Sequence, residues 1–304
     1  DEFTQLCSDM QAKIDDGSLD LDYVIINNTK DYTLYRGFVG IFHTWDCLYY
    51  NGEEWVFGPI EDNFRECLKY LNSLYEAGYI DPEFSTADFN QGQTKATTNV
   101  GGICPTLWSG SVASWNAAKT DDNMEWGLAY LPENTEYGTA WKWGSRQAAK
   151  SLNANMGIYI SAETEHPEYA VAMIDYQYSD EMVNLMNWGV EGETYTKDDD
   201  GNIVLNSDIY YNGINPGAEK QLNVDYGFGN GVFAYGGSKE LQYSKFSDGE
   251  KEWNERVNAS KEDIQLKPPI LADEMQKEEM NLVKTPLMDY VNTAALEFIT
   301  GKRD

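Results

Sequence analysis

Strands alternating with helices predict an α/β protein. Three observations carry that expectation. Phe64, Leu68, Leu71 and Tyr75 recur at three- and four-residue spacing, one face of a helix over 61–77. That helix stops hard, at Gly78 and again at Asp81-Pro82. Short apolar runs such as YVIIN (23–27) and TNVGGIC (98–104) read as buried strands between such helices.

Each element has its own signal. Phe3, Leu6, Cys7, Met10 and Ile14 predict a helix over 1–14, closed by the polar turn DDGS (15–18). The segment 33–59 mixes aromatics with glycines, and Asn51-Gly52 reads as a hairpin or tight turn. Glu61 and Asp62 stand in the first turn of the next helix, where carboxylates favour the positive end of the dipole. WGLAYLP (126–132) and MGIYIS (156–161) read as further strands. Two consecutive helices are expected over 166–189, with Pro167 at the first helical position of one and Ser179-Asp180-Glu181 opening the other. YTKDDDGNIVLN (195–206) reads as a hairpin turning at Asp200-Gly201, and 212–238 as loop. Helical pattern returns at 271–284 and 287–300, where Gly301 stops it. The sequence shows no internal repeat.

Composition excludes several functions. The chain has 304 residues, enough for one large or two ordinary domains, and 41% of them are hydrophobic, which predicts a globular protein. Its 51 acidic against 22 basic residues give a net charge of −29. So negative a surface repels phosphate backbones and anionic lipid, so neither nucleic acid nor a membrane surface is expected as a partner. No apolar run reaches the roughly 18 residues of a membrane span. No signal peptide is visible, and the start at Asp1 reads as a chain cut from something longer. Cys7, Cys47, Cys67 and Cys104 lack zinc spacing and are expected as buried thiols. The 9 Trp and 21 Tyr, within an aromatic share of 13%, suit stacking on sugar rings and suit core packing equally.

Catalytic signatures mostly fail. His43 and His166 are the two histidines, neither sits in HExxH, and no metal or cofactor site is expected. GFGNG (227–231) carries Val232 where a dinucleotide loop needs glycine, and SGS (109–111) lacks the flanks of a nucleophile elbow. DDDG (198–201) shares part of a calcium-loop pattern without its later glutamate, which favours a plain turn. Asp46, Glu53 and Glu54 among aromatics leave a glycosidase carboxylate pair open. The clusters FHTWD (42–46), TLWSGSVASW (106–115) and WKWGSR (141–146) set tryptophan beside small polar or charged residues. Together they favour a sugar-stacking surface over core packing. The expected ligand contacts are Trp45 with His43 and Asp46, then Trp108, then Trp143 with Arg146.

YLNSLYEAGYIDPEF (70–84), followed by DFNQGQTKATTNVGG (88–102) with Phe89 and Gly92, resembles the extracellular solute-binding proteins, family 1, that feed carbohydrate ABC importers. The stretch 166–202 is similar to that family at Pro167, Glu168, Ala170, Ser179, Asp180, Glu181, Gly189, Glu191, Gly192 and Tyr195, and 290–301 resembles its near-terminal helix. The resemblance implies a periplasmic binding protein type II-like fold, two α/β lobes with a hinge near 151–156, trimmed at both ends so that the first lobe is incomplete in this chain. Residues 1–150 and 245–304 would form one lobe and 151–244 the later portion of the other. It further implies a monomer, lipid-anchored outside the cell in its full-length form, that binds an oligosaccharide and hands it to an ABC transporter permease without catalysis. A secreted glycoside hydrolase and a glycan-binding adhesin module are the alternatives.

Overall fold

The computed structural model describes residues 2–30, 34–106, 111–130, 132–138, 140–141, 158–211, 214–215, 217–229, 246, 248–259 and 272–303. In chain order its elements are α1 (Glu2–Asp15), β1 (Tyr23–Ile25), β2 (Leu48–Tyr50), β3 (Trp55–Phe57), α2 (Asp62–Glu76), α3 (Phe89–Thr97), β4 (Gly101–Ile103) and α4 (Ser111–Ala118). There follow α5 (Pro167–Tyr176), α6 (Asp180–Trp188), β5 (Tyr195–Lys197), β6 (Ile203–Leu205), β7 (Ile209–Tyr210), β8 (Lys220–Gln221), α7 (Leu222–Asp225), α8 (Asp248–Ala259) and α9 (Glu274–Ile299). The chain divides into two compact units, Asp1–Lys150 with Arg256–Asp304, and Ser151–Glu255.

In the first unit Val24, Ile25 and Ile26 are fully shielded from solvent, as consecutive apolar residues of an internal parallel strand must be. β1 pairs in parallel with β4 in the register Tyr23↔Gly101 and Ile25↔Ile103. Gly101 is glycine for a steric reason: a Cβ there would sit 2.2 Å from Ile26 Cγ2. α2 buries Phe64, Cys67, Leu68, Leu71 and Leu74 against a core that also holds Ile25, Leu34, Phe38, Ile41 and Phe42. Its end follows the sequence closely. Gly78 takes φ +79°, Tyr79 N–H donates to Leu74 O, and Ile80 then bridges Ile25 in parallel.

The Asp81-Pro82 stop has a second duty. Asp81, buried, accepts Glu83 N–H, and Lys95 of α3 donates to both the Asp81 and Glu83 carboxylates. α3 itself opens on a reciprocal cap: Asp88 accepts Gln91 N–H while the Gln91 side chain accepts Asp88 N–H. Gly92 lets this helix lie on the backbone after β1, since a Cβ would fall 1.8 Å from Asn28 O.

The second unit has its own core of Trp188, Tyr195, Leu205, Ile209, Tyr211 and Leu222. Ser179 caps α6 by accepting Met182 N–H, and β5–β6 is an antiparallel hairpin with Gly201 at φ +83°. The Asp198 carboxylate accepts Asp200 N–H, Asn202 N–H and the Asn202 amide, so it is consumed by its own turn. Those bonds, the Asn202 side chain's first, hold its pKa below the usual carboxylate range.

Four expectations need correction. Residues 126–130 are irregular rather than a strand: the Trp126 backbone exchanges bonds with the Asn116 side chain instead of a neighbouring strand, and its indole donates to Ala96 O. The described part of 156–161 forms no strand, and Tyr159 stands exposed. The two terminal helical patterns are one helix, α9, running through Pro286. Within 212–238, the described residues include β8 and α7 rather than loop alone. No described helix is long and apolar enough to cross a membrane.

Candidate functional site

The segment 34–50 winds through two 3-10 turns, Leu34–Gly37 and Val39–Phe42, before entering β2. His43 closes the second in the left-handed region at φ 52°, with its N–H donating to Val39 O. Asn63 of α2 donates to His43 O, and Thr44, Trp45 and Asp46 follow in succession. Trp141 N–H donates to Gly40 O at 2.9 Å and brings a second tryptophan onto the same face.

The aromatic arrangement is continuous. His43 stacks on Trp141 with ring centroids 4.6 Å apart and planes 19° from parallel. Trp45 lies 6.4 Å from Trp141 at 30°, Tyr49 meets Trp141 edge-on, and Tyr137 flanks His43 at 5.9 Å. His43, Tyr137 and Trp141 are half-buried, whereas Trp45 is only 5% exposed and belongs to the core. A Cβ at Gly58 would come within 1.9 Å of Trp45 O, so the 58–60 turn closes directly over the tryptophan backbone. The Trp45 indole N–H is buried without a hydrogen-bond partner among the described residues.

The polar neighbours of Trp45 are bound internally. Asp46 is buried and accepts from Arg36 Nε at 2.5 Å. Thr44 Oγ1 and Tyr49 Oη both donate to the Glu61 carboxylate, at 2.8 Å and 3.0 Å. Burial first, then the adjacent Glu61 charge, pushes the Tyr49 phenol far above its ordinary pKa, so it stays a donor at any physiological pH. Glu61 therefore precedes α2 as an anchor for the 44–49 segment rather than standing inside its first turn. Glu53 and Glu54 are exposed in the β2–β3 turn, their N–H groups donating to Asn51 Oδ1.

Of the six residues expected to contact ligand, the structure brings together His43, Trp45 and Asp46. Trp108, Trp143 and Arg146 lie outside the described residues. Trp141, Glu61 and the Arg36–Asp46 pairing were not anticipated. Trp141 was within the WKWGSR cluster, but the sequence there does not say which of its two tryptophans meets His43. Among the four cysteines, all thiols, Cys7 and Cys67 are buried as expected, Cys104 is half-buried and Cys47 is exposed. No cluster of His, Cys, Asp or Glu among the described residues is placed to hold a metal ion.

The fold is that of solute-binding proteins. The chain is similar to the alginate-binding protein AlgQ2, solved without calcium ion, at a TM-score of 0.65 and 15% identity, over 98% of this chain and 61% of that one. It is similar to an HMO-binding, ABC-transporter-associated solute-binding protein from Bifidobacterium longum infantis at 0.53 and 14%, over 92% and 58%. It is likewise similar to the ABC-transporter substrate-binding protein FusA of S. pneumoniae in complex with kestose at 0.55 and 15%, over 91% and 56%. The chain thus spans about three fifths of the length of the solved structures it matches. No family model matches the sequence, and neither does any curated protein.

Proposed function

We propose that this protein captures an oligosaccharide outside the cell and delivers it to the membrane permease of an ABC importer, acting as a lipid-anchored monomer without catalysis. The carrying observation is the fold shared with three sugar-related solute-binding proteins. The His43–Trp141 stack supports it: two half-buried rings in nearly parallel planes hold each other rigid, and an outer ring face with polar edges is the kind of surface on which a sugar ring's C–H groups settle. Trp108, Trp143 and Arg146 remain part of the proposed contact set, and Asp46 shapes it by fixing Arg36.

A thermal-shift screen of the protein expressed from its complete reading frame, against a panel of neutral and acidic oligosaccharides, tests the reading, since a ligand bound to the native state raises stability. At least one oligosaccharide should raise Tm in a concentration-dependent way and remain chemically intact. Reproducible hydrolysis abolished by Glu53→Gln or Glu54→Gln would mean a glycoside hydrolase instead.

A further inference from the structure

A pocket of about 220 Å³ lies just beyond the carboxyl end of β1, between the 84–85 turn and the last turns of α9. Leu34, Phe84, Leu296 and Ile299 make its apolar lining, and Lys30, Ser85 and Asn292 are among its polar residues. For scale, a dry cavity of roughly 150 Å³ accepts one benzene ring. This pocket therefore has room for one six-membered ring and a substituent.

Its free N–H donors come from two side chains, Asn292 and Lys30. Tyr35 Oη donates to Asn292 Oδ1, which uses the Asn292 carbonyl and leaves its amide N–H groups to donate. Thr293 spends its hydroxyl proton on Asp289 O and so offers the pocket only an acceptor oxygen. Lys30, exposed at the rim, has no ion-pair partner among the described residues, and the Ser85 hydroxyl makes no hydrogen bond to them. No carboxylate is among the described residues lining the pocket, in a chain with 51 acidic residues against 22 basic ones. A recess with free amide donors and no carboxylate among its described lining residues, beside an ammonium without an ion-pair partner among them, is complementary to an anion, and the apolar floor asks for a hydrocarbon face beneath it.

We infer that this pocket binds a small carboxylate carried on a six-membered ring, with the carboxylate held by Lys30 and Asn292 and the ring against Phe84 and Leu296. The ring has two chemical sources, a sugar acid or a plain cyclic acid. The inference does not depend on the sugar-capture reading above.

Calorimetric titration of the protein from its complete reading frame with cyclohexanecarboxylate, glucuronate and the neutral cyclohexylmethanol decides it. At least one carboxylate should bind roughly tenfold more tightly than the alcohol, the advantage of a charge-assisted hydrogen bond. Glucuronate binding best assigns the sugar source, and cyclohexanecarboxylate the other. Lys30→Met, on an exposed side chain, should keep Tm and reduce the preferred acid to the alcohol's affinity. Leu296→Trp should fill the recess and abolish binding of all three. Equal affinity for acid and alcohol, no binding of any probe, or an unchanged acid affinity in Lys30→Met would each overturn the inference.

Discussion

At the scale of single residues, burial sorts the tryptophans into different duties. Trp45 is covered by the 58–60 turn and flanked by Trp141, so Trp45→Ala should remove core packing at a cost of about 3–5 kcal/mol. Chemical denaturation of the variant checks this; a loss below about 1 kcal/mol would show the ring to be dispensable to the core. Trp141 is half-buried and stacked on His43, so Trp141→Ala should cost only about 1–2 kcal/mol while weakening oligosaccharide binding at least tenfold. Gly92→Ala places a carbon 1.8 Å from Asn28 O and must shift backbone, for about 3 kcal/mol or more. The sequence suggested a ligand platform at Trp45 because Thr44 and Asp46 beside it are polar. The ring is buried in the described structure, and those polar groups are satisfied inside the protein by Arg36 and Glu61, partners ten and seventeen residues away that are invisible to local composition.

At the scale of elements, helices with chemical punctuation were the legible part. α2 ends where Gly78 predicts, and α5 and α6 begin where Pro167 and Ser179 predict, because caps and positive-φ glycines act within a few residues. Strands were less so, since pairing is decided far along the chain: the strand-like run at 126–130 opens on Trp126, whose backbone N–H and indole are taken by Asn116 and Ala96. α9 defied the usual effect of proline. Pro286 removes one backbone donor, and replacing it with alanine should restore that bond and stabilise the protein by about 1–3 kcal/mol, read from the denaturation midpoint. The Asp81–Lys95–Glu83 pairing ties α3 to the stop after α2. Lys95→Met would strand the buried Asp81 carboxylate and cost roughly 3 kcal/mol at pH 7. Burial opposes the Lys95 charge, but the bonds to Asp81 and Glu83 outweigh it and raise its pKa. A raised lysine pKa stabilises fully below the unfolded value of about 10.4 and ceases to as pH climbs through the folded value. The variant's deficit should therefore be constant between pH 6 and 9 and shrink only in stronger alkali.

At the scale of the whole molecule, a net charge of −29 sets up self-repulsion that the fold tolerates. Raising sodium chloride from 0.02 to 0.5 M shortens the screening length several-fold and should raise Tm; a Tm that falls would mean that paired charges outweigh repelling ones. Each unit has its own hydrophobic core among the described residues, around Ile25 and Leu71 in the first and around Trp188 and Leu222 in the second. The four thiols differ sharply in their access to solvent. Burial pushes Cys7 and Cys104 up to about 11 and Cys67 higher still, while Cys47 lies open beside Asp46. A maleimide dye offered to the folded protein near neutral pH therefore has one preferred destination. That destination is two residues from Trp45 and four from His43, so the natural sequence already carries its own attachment point for a fluorescent reporter, with an aromatic quencher alongside.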